Sequence, residues 1–189
     1  MAQSEVEIYN TAFIWLGQET VTAVTDPSKR AIQARVRYKN IRNALLQRHN
    51  WRFAIGRATL APETAAPEFG WTYQYLRPID CLRILNIKDY EYPWIREGKY
   101  ILTDVGTTLY LNYIREVEAV LEFDPVFAEL LGIELAMALC YSLTGSMDIN
   151  KEILAPMRTD LLSSAAFTSA IEGWPDDQFV EGSWVSDRR

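Results

Sequence analysis

The sequence predicts an α+β protein that is mainly α: a helical bundle with an inserted small antiparallel β-sheet or barrel and an extended C-terminal tail. Three observations lead to this prediction. Helix-start signatures occur at Ser4 and at two Asp-Pro pairs. The spacing of apolar residues changes from helical to alternating at Trp51. A block rich in Tyr and Trp, punctuated by Gly and Pro, then separates the early helices from the late ones.

Two helices are predicted before this block. Ser4 and Glu7 have the capping-box spacing and Gly17 follows the apolar run, so a first helix is predicted over 5–16. Asp26-Pro27 has the pattern of an N-cap followed by proline, which predicts a second helix over about 28–49.

The second helix is apolar on two sides, with basic residues between them. One side has Ala31, Ala34, Tyr38, Ile41 and Leu45, and the other has Ile32, Val36 and Leu46. This pattern predicts that one side packs within its own domain and the other contacts a partner.

Strands and two further helices follow. Alternation from Trp51 predicts a strand, and Trp51 is expected to anchor the strand block on the bundle. Further strand-like segments cover 71–76, 82–88, 92–96, 100–102 and 109–114. Asp124-Pro125 precedes an apolar run typical of a central helix, and a last helix over 150–171 is expected to kink or restart at Pro156.

The predicted organisation has three parts. A discontinuous helical bundle takes 1–52 and 116–172, a β insertion takes 53–115, and a C-terminal docking tail takes 173–189. The first residues lack a basic and apolar leader, which predicts synthesis and use in a cytosol. The most apolar run, 130–143, is shorter than the roughly 20 residues of a membrane span, so no membrane segment is expected. Cys81 and Cys140 are expected to be buried free thiols.

Charge is divided sharply along the chain. Residues 27–62 contain nine Lys and Arg and no Asp or Glu, while the net charge is −6, so the rest of the chain carries −15. Such a division is typical of a surface that meets an oppositely charged one. Three interpretations are open for the basic segment: a solvated helix face, docking on an acidic protein surface, or contact with DNA.

Catalytic chemistry has little support in the sequence. His49 is the only histidine, which excludes multi-histidine zinc sites, and its expected role as a helix cap leaves no histidine for a Ser-His-Asp triad. Glu129 and Glu134 lie more than 100° apart around one helix, so separate salt bridges are expected in place of a paired active site. There is no P-loop or Cys cluster. The protein is therefore predicted to be no enzyme and to use no metal or cofactor.

Five motifs occur in the order of a known family. They are 10–17 (NTAFIWLG), 45–54 (LLQRHNWRFA), 57–62 (RATLAP), 73–83 (YQYLRPIDCLR) and 122–127 (EFDPVF). Over residues 8 to about 170 the chain resembles the tail tubular protein A, or head-to-tail adaptor, family of short-tailed bacteriophages. The segment from Gly173 onward departs from the family's pattern.

The resemblance implies a structural protein of the virion tail, made in the bacterial host cytoplasm and without catalytic activity. It implies a homo-oligomeric ring of twelve copies between the portal protein and the tail nozzle protein, with DNA passing through the channel without specific binding. The candidate partner-binding residues are Lys29, Arg30, Arg35, Arg37, Arg42, Trp174, Phe179 and Trp184.

Two alternatives stay open. A nucleic-acid-binding module would use the cations of 27–62 as a phosphate footprint, although a conduit that bound phosphates tightly would retain the genome it must release. A hydrolase is the third candidate. The nine aromatic residues of the strand block fit either ordinary cross-strand packing or an interface; they are Trp51, Trp71, Tyr73, Tyr75, Tyr92, Trp94, Tyr100, Tyr110 and Tyr113.

Overall fold

The computed structural model describes residues 4–88 and 91–171. The described residues form four α-helices: α1 Glu5–Trp15, α2 Lys29–Arg48, α3 Pro125–Thr144 and α4 Ala155–Ile171. They also form six strands: β1 Ile55–Leu60, β2 Tyr73–Leu76, β3 Cys81–Lys88, β4 Trp94–Glu97, β5 Tyr100–Thr103 and β6 Leu109–Arg115. All six strands lie between α2 and α3 in the sequence.

Local signals explain both ends of α1 and the start of α3. Ser4 and Glu7 form the predicted capping box at the start of α1. Gly17, which follows the C-terminal end of α1, has a positive φ of 65°, in the left-handed region. Asp124 caps α3 by accepting from the Val126 N–H at 2.8 Å, with Pro125 in the first turn.

The predicted second helix is confirmed to within one residue at each end, but the prediction that Asp26 is its N-cap is wrong. Ser28 holds the N-cap position, and Asp26 accepts a hydrogen bond from the Ser28 N–H at 2.8 Å. The carboxylate of Asp26 therefore organises the turn before α2 and does not cap the helix itself.

α3 is the central helix. It has ten buried residues, and all of them except Gly132 belong to the larger hydrophobic cluster with residues of α1, α2 and α4. α1 comes unusually close to it at Gly132, where an added Cβ would lie 2.8 Å from Cγ2 of Thr11. The length and mean hydropathy of α3 would suffice for a membrane span, but 56% of that segment is buried inside the molecule. Burial of this kind is what a central helix requires.

The strands form two antiparallel sheets of three strands each. Sheet A has the order β1–β6–β3 and sheet B has the order β2–β5–β4. In sheet A, Gly56 pairs with Tyr113 and Ala58 with Leu111, so these residues share one face. In sheet B, Tyr75 pairs with Ile101.

The prediction of a mainly α bundle with one small sheet or barrel is therefore wrong. The described residues form a mixed α+β fold that is 47% helical and 20% strand. Within the described ranges the central strands β6 and β5 each pair on both sides, and no pairing joins one sheet to the other, so no barrel closes. The expected tail at 173–189 lies outside the described residues, and the predicted division into domains stays a prediction.

Sheet A is the middle of three layers. One of its faces joins sheet B in a second hydrophobic cluster that includes Tyr75, Ile101, Leu109, Leu111 and Tyr113. Its other face reaches the helical cluster only at the end nearest the helices, through Ile55, Leu82, Leu85 and Ile114. Farther from the helices, that second face is exposed and polar.

Two smaller predictions are confirmed. A π-helical turn over Asn150–Leu154 ends where α4 begins at Ala155, so the helix restarts beside Pro156 as expected. Cys81 and Cys140 are free and buried, one in each hydrophobic cluster.

Candidate interaction surfaces

The outer side of α2 exposes the apolar residues that the sequence assigns to a partner. Ile32 is 42% exposed and Val36 is 69% exposed. With Ala138 and Leu139 of α3 they line a groove of about 290 Å³. Tyr141, one turn after Ala138, is also exposed. We call this surface the α2–α3 groove.

Polar groups border the groove. Gln33 accepts a hydrogen bond from the Ser142 hydroxyl at 3.1 Å, which joins α2 to α3, and Arg37 lies on the rim. Leu46, which the sequence places on this outer side, is buried instead. It belongs to the helical cluster together with Leu45, because that cluster surrounds α2 near its C-terminal end.

Among the cations of 27–62, the structure shows ion pairs within the described residues for Arg30, Lys39, Arg42 and Arg48. Arg30 contacts Glu19, and Arg48 contacts Glu134, which also binds Arg158. Lys39 and Arg42 share the third site, with the Lys39 amine 3.1 Å from Glu116. These ion pairs neutralise, within the chain, part of the positive charge that the sequence analysis assigns to partner binding.

Arg42 is the most deeply placed of these cations, with a side chain only 6% exposed. Its Nη2 donates to Oε1 of Glu116 at 2.7 Å, and Asn43 donates to the same oxygen at 3.0 Å. The Asn43 hydrogen bond, with further contributions from Lys39 and Arg42, lowers the pKa of Glu116 although partial burial opposes the shift. Arg42 therefore acts within the fold, whereas the sequence assigns it to partner binding.

The remaining candidates on α2 are exposed. Arg35 donates to the backbone oxygen of Val24 at 3.2 Å. Lys29, Arg37 and Arg57 have no carboxylate within salt-bridge distance in the described part of the chain. Trp174, Phe179 and Trp184 lie outside the described residues.

His49 and Glu134 both contact neighbouring side chains of the fold. His49 is the C-cap residue of α2, and its ring contacts that of Trp51 edge to face, with the centroids 5.0 Å apart. Burial, and then the nearby Arg83, lower the pKa of His49. Glu134 is a salt-bridge partner, as expected. Among the described residues no group of three His, Cys, Asp or Glu could hold a metal ion.

The aromatic residues of the strand block divide between core and surface. Tyr75 and Tyr113 are buried on strands, as cross-strand packing predicts. Trp51 is also buried, but the strand predicted to start there begins at Ile55, because Arg52–Ala54 forms a 3₁₀ turn. Tyr73, Tyr92 and Tyr110 are exposed, and Tyr110 lies on the polar face of sheet A. Sequence reasoning missed this face because its residues come from three strands that only the register brings together.

Neither a protein-family model nor a curated protein sequence matches the chain.

Proposed function

We propose that this protein is a structural adaptor of a phage tail that assembles into a ring of twelve copies. In this proposal the ring lies between the portal protein and the tail nozzle protein and continues the DNA channel. It has no catalytic role, and DNA passes without specific binding. The five ordered motifs support the family, and the α2–α3 groove supports assembly.

The α2–α3 groove is the observation that carries the proposal. Ile32 and Val36 are exposed in the groove, and Tyr141 is exposed elsewhere on α3. Burying a side chain of this size contributes about 1.5–3 kcal/mol, so covering the groove favours association. A groove of this kind, covered by a different surface of the next copy, gives a heterologous contact, and such contacts form a ring when the rotation from copy to copy closes.

The charges of α2 fit the same proposal. Lys29 and Arg37 are exposed, while the chain outside 27–62 carries an excess of acid. Pairing across subunits would orient neighbouring copies. The internal pairing of Arg30, Lys39, Arg42 and Arg48 leaves no continuous phosphate footprint along α2, which favours protein docking over the nucleic-acid alternative for this segment.

The test is assembly with purified portal, observed by electron microscopy. Val36→Glu places a charge in the groove and should abolish ring formation while leaving the melting temperature unchanged, because the side chain is exposed. Leu121→Glu is the matched control, since Leu121 is 75% exposed on a different surface. Rings formed by Val36→Glu at the wild-type level would contradict the role of the groove. A symmetry other than twelvefold would contradict the ring of twelve.

A further inference from the structure

The polar face of sheet A has a regular composition. Its two cross-strand rows run from β1 through β6 to β3. The row nearer the helices is Arg57, Asn112 and Asn86, and the next row is Thr59, Tyr110 and Lys88. Asn112 is half-buried in the centre and the other five residues are exposed.

Two cations lie on this face. The three strands that form sheet A contain no Asp or Glu, in a chain whose net charge is −6. Arg57 and Lys88 lie on the two edge strands, in successive rows. Neighbouring strands lie about 4.8 Å apart, and successive residues on one face of a strand lie about 6.8 Å apart. The Cα atoms of Arg57 and Lys88, two strands and one row apart, are therefore about 12 Å from each other across the sheet.

An exposed aromatic ring lies on the central strand between these cations. Tyr110 is 54% exposed and belongs to neither hydrophobic cluster. Its ring is therefore not required by the core. An exposed tyrosine flanked by cations on a flat sheet is the arrangement on which nucleic-acid bases stack.

A pair of amides adjoins the ring. Nδ2 of Asn112 donates to Oδ1 of Asn86 at 2.8 Å. This bond orients both side chains and leaves one donor group on Asn86 and one acceptor on Asn112 for a ligand. Donors and acceptors of this kind pair with the edges of unpaired bases.

We propose that this face of sheet A binds single-stranded nucleic acid. One base stacks on Tyr110, the amide pair contacts a neighbouring base edge, and Arg57 and Lys88 bind phosphates on either side. A duplex hides its base faces and could not use Tyr110 in this way. An acidic polypeptide would use the cations but would have no counterpart for the ring and the amides. The proposal does not rest on ring assembly, and of the nine cations in 27–62 it uses only Arg57.

The test is fluorescence anisotropy with a labelled oligothymidylate of about 12 nucleotides, at about 50 and 200 mM salt, using the full chain without portal. Tyr110→Ala should raise Kd about 5- to 150-fold, the range that loss of one stacked base produces. Tyr110→Phe, which keeps the ring, should bind like the wild type. Arg57→Gln should reduce the slope of log K against log salt by about 0.7, as expected for loss of one phosphate contact on a single strand.

Two controls match these variants. Tyr92→Ala removes another exposed tyrosine and Lys99→Gln removes an exposed cation beside sheet B, and neither should change Kd. The proposal is overturned if the oligonucleotide does not bind, if Tyr110→Ala binds as tightly as the wild type, or if the controls weaken binding equally. It is also overturned if a polyglutamate peptide competes as well as the oligonucleotide, because the face would then be a docking site for acidic protein. Circular dichroism checks that each variant is folded, and Tyr110→Thr replaces Tyr110→Ala if the latter unfolds.

Discussion

At the scale of single residues, Arg42 has a buried guanidinium that lies beside Glu116 and 6.0 Å from the ring centroid of Tyr38. A buried guanidinium loses its hydration, so it requires the carboxylate at this position. Lys39 binds the same carboxylate from solvent, and its contribution is correspondingly smaller.

This difference predicts unequal effects of removing the partners. Glu116→Gln should lower the free energy of unfolding by about 3 kcal/mol. The reason is that Glu118, at 3.4 Å, is then the only carboxylate within salt-bridge distance of Arg42 among the described residues. Lys39→Gln, which removes the exposed partner of the same carboxylate, should cost less than about 1 kcal/mol. Urea unfolding measures both. Equal losses in the two variants would show that burial of Arg42 does not decide the energetics.

The lowered pKa of Glu116 also gives a pH dependence. A carboxyl whose pKa is lower in the folded state stabilises the fold above its unfolded pKa, near 4.5, and loses this contribution as pH falls through the folded pKa. The melting temperature of the wild type should therefore fall with pH below about 4.5 more steeply than that of Glu116→Gln. Parallel curves for the two proteins would exclude Glu116 as a source of acid sensitivity.

At the scale of elements, two close contacts determine how the elements pack. One is the junction after α2, where Trp51 is buried against Phe127 with ring centroids 5.0 Å apart. Its indole N–H donates to the backbone oxygen of Leu45 at 3.1 Å, near the end of α2. The other is the close approach of α1 to α3 at Gly132. A change of side-chain volume at Trp51 or at Gly132 should therefore destabilise the fold.

Trp51→Ala should cost about 3–5 kcal/mol and lower the melting temperature by about 6–20 °C. The loss includes the cavity left beside Phe127 and the backbone oxygen of Leu45 left without its donor. Phe69→Ala is the control, because Phe69 is exposed and its removal leaves no cavity. Thermal denaturation followed by circular dichroism compares them, and an unchanged melting temperature for Trp51→Ala would show that the junction does not depend on the indole.

Gly132→Ala should destabilise the protein by about 1–3 kcal/mol, although alanine is the better helix former by about 1 kcal/mol. The reason is steric, because the new Cβ would lie 2.8 Å from Cγ2 of Thr11. Adding Thr11→Ala removes that methyl group and should recover part of the loss, which a double-mutant cycle measures. A higher melting temperature for Gly132→Ala alone would show that α1 and α3 can separate at no cost.

At the scale of the whole molecule, the two hydrophobic clusters use buried residues from 8–165. The C-terminal segment with Trp174, Phe179 and Trp184 lies outside the described residues, and its role is tested by deleting it. Its aromatic side chains are suited to fill pockets on a partner.

Deleting residues 174–189 should leave a folded protein with nearly the wild-type melting temperature that no longer joins portal-containing heads. Attachment is measured as occupancy in purified particles. Full occupancy of the truncated protein would show that the segment is not the docking element. Docking would then have to occur through the surface of the helices.

The sequence by itself determined the features that depend on neighbours along the chain. The capping box at Ser4, the Asp124-Pro125 start of α3, the restart beside Pro156 and the approximate places of the strands all follow from local signals a few residues long. What only the tertiary structure decided are the features that join distant segments. These are the division of six strands into two sheets, the burial of Arg42 against Glu116, and the alignment of Arg57, Tyr110 and Lys88 on one face. The physical reason is that strand pairing and charge burial depend on which surfaces meet, and no short stretch of sequence encodes that choice.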